Sequence, residues 1–120
     1  METITVEHQQ DSDPNRLLKK WVTEQTKSLV QETIEKHPQL KTPLRLTVTD
    51  TKRWGYTRKG GVIVFNWQLS ALPKELAVYI IVHELVHLEY PNHLNGFYNK
   101  LAQIIPDYNE RIDTIKQYRI

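Results

Sequence analysis

The eleven residues His83-Glu84-Leu85-Val86-His87-Leu88-Glu89-Tyr90-Pro91-Asn92-His93 constrain this chain more than any other stretch. They hold three of its five histidines and follow directly on Leu76-Ala77-Val78-Tyr79-Ile80-Ile81-Val82, its longest apolar run. Seven consecutive apolar residues leave no wet face, so a helix over residues 74–90 belongs in the centre of the fold. His83 and His87 stand one turn apart on such a helix and project from one face. Two imidazoles at that spacing can hold one metal ion at about 2.0–2.1 Å each. Glu84 lies beside the pair, near enough to reach a water on that metal without being a ligand. Burying such groups without partners costs several kcal/mol, which weighs against a purely structural origin.

This is the HExxH pattern: two histidines hold zinc, zinc lowers the pKa of a water, and the glutamate takes the proton. A catalytic zinc site usually has three protein ligands. His93 is the obvious third. Six residues is not a whole number of helical turns, but Pro91 breaks the helix and lets the chain bring His93 back. The spacing equals that of metzincin zinc proteases, which have glycine where Tyr90 sits. An acid is the alternative third ligand: Glu110 or Asp107 from a later helix, or Glu89 close by.

At 120 residues the chain is expected to be one domain with a single modest core. No apolar stretch approaches the roughly 18 residues of a membrane helix, and the N-terminus lacks the basic start and apolar core of a signal peptide. Cysteine is absent, which excludes disulfides, thiolate ligands and a cysteine nucleophile. A cytoplasmic location fits these features. Residues 1–13 carry Glu2, Glu7, Asp11 and Asp13 and no Lys or Arg. They read as an acidic polar tail, with Ile4-Thr5-Val6 as a candidate strand. Residues 14–120 hold 16 basic residues against 10 acidic ones, a balance of +6. A solvated basic surface is the plain reading, and an acidic or nucleic-acid partner the sharper one.

Ser12-Asp13-Pro14 is a helix start, and Leu17, Leu18, Trp21, Val22, Leu29, Val30 and Ile34 recur at helical spacing until His37-Pro38. Trp21 and Trp67 are expected in the core. Leu44, Leu46 and Val48 alternate with polar residues as in a strand. A second strand is expected within 52–57 and a third over 62–65, with Lys59-Gly60-Gly61 as the turn between them. Three short consecutive strands suggest an antiparallel meander. A helix capped by Ser70 should run to Tyr90, another from Leu94 to Ile105, and a last one from Pro106-Asp107 to Tyr118. The expected class is α+β: an N-terminal helix, a small three- to four-stranded, mostly antiparallel sheet, and a helical C-terminal half around the buried HExxH helix. The expected domains are a tail over 1–13 and one zincin-like unit over 14–120.

Arg53-Trp54-Gly55, Val62 to Trp67, Leu69, Leu72-Pro73, His83-Glu84-Leu85-Val86-His87, Asn92-His93, Phe97 and Pro106-Asp107-Tyr108 together resemble the YgjP-like zinc metallopeptidases, relatives of the SprT-like and minigluzincin proteins. The resemblance spans roughly residues 45–118. It implies a zinc-dependent hydrolase with a small sheet above the active-site helix, His83, His87 and His93 as zinc ligands, and Glu84 as general base. Where the family usually shows Arg-Trp-Gly-Ser-Cys, this chain continues with Tyr56-Thr57. Tyr98 stands where tryptophan is usual, and Leu94 where a small polar residue is usual. None of these changes removes a ligand or the base.

The strand carrying Arg53 to Tyr56 is expected beside the site, with an edge that can pair with an extended peptide. Tyr56 is a candidate donor to an oxyanion. Phe97 and Tyr98 are expected to pack beneath His93. Lys52, Arg53, Arg58 and Lys59, with Trp54 and Tyr56, form a basic-aromatic cluster of the kind that binds nucleic acid. The leading functional reading is a zinc-dependent metallopeptidase that cleaves peptide bonds with a metal-activated water. The alternatives are a nucleic-acid-associated zinc protein and a latent or inactive metallopeptidase-like protein.

Overall fold

The Asp13 carboxylate accepts the Asn15 N–H at 3.0 Å and Pro14 takes the first helical position, so helix α1 (Pro14–Lys36) starts where its capping residues dictate. The computed structural model describes residues 13–119; the candidate strand at Ile4-Thr5-Val6 and the rest of the segment before Asp13 lie outside them. α1 ends as expected at His37, whose N–H bonds to the Ile34 carbonyl. Thr26, Val30 and Thr33 form its buried face. Trp21 does not join the core and is 62% exposed. Leu17 and Leu18, one turn earlier, are exposed too. Helical spacing marks an apolar stripe but does not say how far the rest of the fold covers it.

Three strands follow: β1 (Arg45–Thr49), β2 (Gly55–Arg58) and β3 (Val62–Asn66). They do not form the expected meander. The order is β1-β3-β2, with β1 parallel and β2 antiparallel to β3. The reason lies in the side chains. Val62-Ile63-Val64-Phe65 is apolar on both faces, and all of β3 beyond Val62 is buried, as suits a central strand. β1 alternates exposed and half-buried positions, and β2 is short and polar, as suits edges. Gly60 (φ 86°) and Gly61 (φ 77°) make the β2–β3 turn with positive φ that only glycine adopts freely.

A 3₁₀ segment, Trp67–Ala71, leads into helix α2 (Lys74–His87). Ser70 does not cap α2. It sits in the 3₁₀ segment, where its hydroxyl and N–H bond with Thr26 and Val22 of α1. α2 is central: Leu76, Ala77 and Tyr79–Val82 are buried, and so are Glu84, Leu85 and Val86. It packs on β2, α1 and both later helices. It ends three residues earlier than expected, at His87, so the segment from Leu88 to Leu94 is free to reverse direction before helix α3 (Asn95–Ile104). Helix α4 (Tyr108–Ile115) is shorter than the expected span to Tyr118. One continuous apolar cluster runs from Val30 of α1 through β3 and α2 to Leu101 and Ile105. The α+β class therefore holds, while strand pairing and helix ends differ. Among the described residues no helix is long and apolar enough to cross a membrane.

Candidate active site

His83 and His87 project from the last turn of α2, and the segment after it returns His93 to them. The Nε2 atom of His93 lies 2.9 Å from that of His87 and 3.3 Å from that of His83. A tetrahedral ion with arms of about 2.0–2.1 Å has ligand–ligand separations of about 3.3–3.4 Å, so one ion fits among the three nitrogens with small adjustment. The outer ring nitrogens fix which atom faces inward. His87 Nδ1 lies 3.0 Å from the Tyr90 carbonyl, which only accepts, so Nδ1 carries the proton and Nε2 the lone pair. His83 Nδ1 lies 3.1 Å from the Tyr79 hydroxyl, which can accept in the same way. Such outer partners orient metal-binding imidazoles.

Electrostatics favours neutral rings here. Burial, then the neighbouring His87 and His93 rings, pushes the His83 imidazole down to about 3. Burial and His87 lower His93 as well. A neutral imidazole is the form that binds metal. Phe97, fully buried on α3, underlies all three rings at centroid distances of 4.5–4.9 Å. Tyr98 lies farther from His93, at 6.2 Å. Among the described residues these three histidines are the one group of potential ligands that converges. Glu110 and Asp107 line a separate recess beside Arg111, and Glu89 is exposed, so the acidic alternatives do not join the group.

Glu84, on the same turn, is buried. Burial raises its carboxyl to about 7, opposed by a hydrogen bond from Thr57 and the charge of Arg53. The Thr57 hydroxyl lies 2.7 Å from Glu84 Oε1 and 3.1 Å from the Glu84 carbonyl; its single proton goes to the nearer, charged acceptor. Sequence reasoning singled out Tyr56 and missed Thr57. Strand alternation puts adjacent residues of β2 on opposite sides but does not say which side turns toward α2. Gly55 explains the tight fit between β2 and α2. A Cβ there would meet Phe65 at 2.9 Å and Glu84 Cγ at 3.4 Å.

Together these elements wall a cleft of about 650 Å³, with the three histidines and Glu84 on one side and β2 on the other. Arg53, Tyr56, Arg58 and Lys59 line it. Lys52 lines another recess, beside Asp50 and Trp67, and Trp54 a third, beside Leu18 and Val22. The basic-aromatic cluster read from the sequence is thus divided among three places.

The comparisons accord with this geometry. The chain shares its fold with the metallopeptidase zymogen abylysin of Pyrococcus abyssi (TM-score 0.58, 20% identity, 79% of this chain and 98% of the other). It is similarly close to the metallopeptidase zymogen jannalysin of Methanocaldococcus jannaschii (TM-score 0.60, 22% identity, 77% and 94%). No curated protein matches the chain. The family model described as "YgjP-like, metallopeptidase domain" matches residues 1–118. The chain belongs to the YgjP-like family and is a peptidase of the metallopeptidase kind.

Proposed function

We propose that this peptidase is zinc-dependent, with His83, His87 and His93 as the metal ligands and Glu84 as the general base. The observation that carries the reading is the convergence of three Nε2 atoms beside a buried carboxyl group. Three imidazoles without a fourth protein donor suit a catalytic zinc better than a structural one, which normally has four. When bound, zinc supplies Lewis acidity: it polarises the scissile carbonyl and makes a water acidic enough to attack at neutral pH.

The protein's own groups supply the rest. Thr57 engages Glu84 Oε1, which leaves Oε2 to accept a proton from the attacking water and return it to the leaving amine. Tyr79 and the Tyr90 carbonyl keep two imidazoles turned inward. β2 pairs with β3 on one side only, and its other edge has no partner strand among the described residues. An extended peptide can add there as a further strand, which would lay its backbone across the histidines. The reading includes residues 14–120 as one zincin-like unit behind an acidic segment over 1–13, and a cytoplasmic location, supported by the absence of cysteine.

The variant Glu84→Gln separates chemistry from metal binding. It keeps the size of the side chain but cannot accept a proton at neutral pH. It should retain zinc and fold while losing peptide hydrolysis by at least ~10²-fold. Equal cleavage by wild type and variant would remove Glu84 from the mechanism.

A further inference from the structure

The cleft wall opposite the histidines is cationic. Arg53 precedes β2, and Arg58 and Lys59 close its far end. All three are exposed, and none forms an ion pair with a described residue. Among the described residues lining the cleft the sole acid is Glu84, which is buried and engaged by Thr57. The extended part, Gly55 to Arg58, covers about 10 Å at roughly 3.3 Å per residue, with Arg53 in the bend before it and Lys59 in the turn after it. A peptide lying along this edge would therefore meet positive charge at both ends and a single buried acid in the middle.

We infer that the site selects peptide segments carrying Asp or Glu on both sides of the scissile bond and rejects segments carrying Lys or Arg there. This rests on the peptidase reading above and deepens it. The selection is electrostatic. An acidic side chain gains a cation that has no ion-pair partner among the described residues, while a basic one is placed against like charge. Each exposed pair contributes a factor of about two to five in affinity, so three cations together give roughly tenfold or more between acidic and neutral segments. Such pairs are also screened by salt. Raising ionic strength from about 0.01 to 1 M shortens the screening length from roughly 30 to 3 Å and should erase most of the preference.

The test uses the zinc-loaded full chain and three peptides with one common core, flanked on both sides by Glu, Gln or Lys. Wild type should show kcat/KM falling in the order Glu, Gln, Lys, with at least about tenfold between the first and last at low salt. The double variant Arg58→Glu/Lys59→Glu changes exposed residues of the hairpin end and should invert the Glu-to-Lys ratio. Equal kcat/KM for the three peptides, or a ratio untouched by the charge reversal, overturns the inference while the peptidase reading stands. Binding of the same fluorescent peptides to Glu84→Gln, read by anisotropy, gives a readout independent of turnover. If no peptide is cleaved, tighter binding of the Glu peptide still supports the cationic wall, and equal binding overturns it. A single-stranded oligonucleotide binding more tightly than the Glu peptide overturns it in favour of phosphate as the partner.

Discussion

Tyr79 stands one helical turn before His83 and presents its hydroxyl to His83 Nδ1. Burial raises that phenol to about 12, so it stays protonated and neutral throughout the physiological range. Tyr79→Phe keeps the ring packed and removes only the oxygen. Partners of this kind typically account for 10–100-fold in metal affinity, so zinc should be released at about tenfold lower chelator concentration. A competition titration that finds no change would assign the hydroxyl a packing role only. The histidine pair was legible in the sequence because residues four apart on a helix share a face whatever the rest of the fold does. Tyr79 obeys the same spacing but reads as one more apolar residue in the run before His83. Thr57 was not legible as a partner of Glu84, because that contact depends on the face β2 turns toward α2, which the sequence around Thr57 does not encode.

At the scale of elements, strands were found where alternation and turn glycines put them, but their pairing was misread. Strand order depends on which strand has two faces to bury. Val62-Ile63-Val64-Phe65 carried that information as an unbroken apolar run, and adjacency in sequence outweighed it. The placement of β2 has a measurable consequence at Gly55, which faces Phe65 across the pair and lies against Glu84. Phe65 is fully buried and cannot swing away. Gly55→Ala should therefore cost about 1–3 kcal/mol in urea unfolding, the usual range for overpacking, and should reduce hydrolysis as well by displacing Glu84. Wild-type stability and activity in Gly55→Ala would mean that β2 and α2 are less closely packed than the contact distances require. The early end of α2 belongs to this scale too. Proline disfavours helix in the residue before it, yet this helix stops at His87, three residues ahead of Tyr90 and Pro91, and that earlier stop gives His93 room to return.

Across the whole molecule, distant elements are tied by a few polar contacts outside the apolar cluster. Asp50, in the loop after β1, accepts from Lys19 of α1 and from the Trp67 indole, each at 2.6 Å. These bonds, that of Lys19 first, hold its carboxyl below the usual 3.8. A folded value below the unfolded one contributes stability above the unfolded pKa, and that contribution is lost as pH falls through the folded one. Wild type should thus exceed Asp50→Asn in stability near neutral pH by a small margin, given the exposure of the pair, and the gap should close below about pH 4. A gap that does not vary with pH would assign the effect to something other than the charge. An ion held by the proposed ligands would add a larger tie, joining the end of α2 to the segment leading into α3, and would then stabilise the fold as well as serve the chemistry. The most direct measurement is the zinc content of untagged protein and of its His93→Ala variant after equal dialysis. The three-histidine site requires about one zinc per chain in the wild type and a large loss in the variant, where two protein ligands remain. No zinc in the wild type, or an undiminished content in His93→Ala, would contradict it.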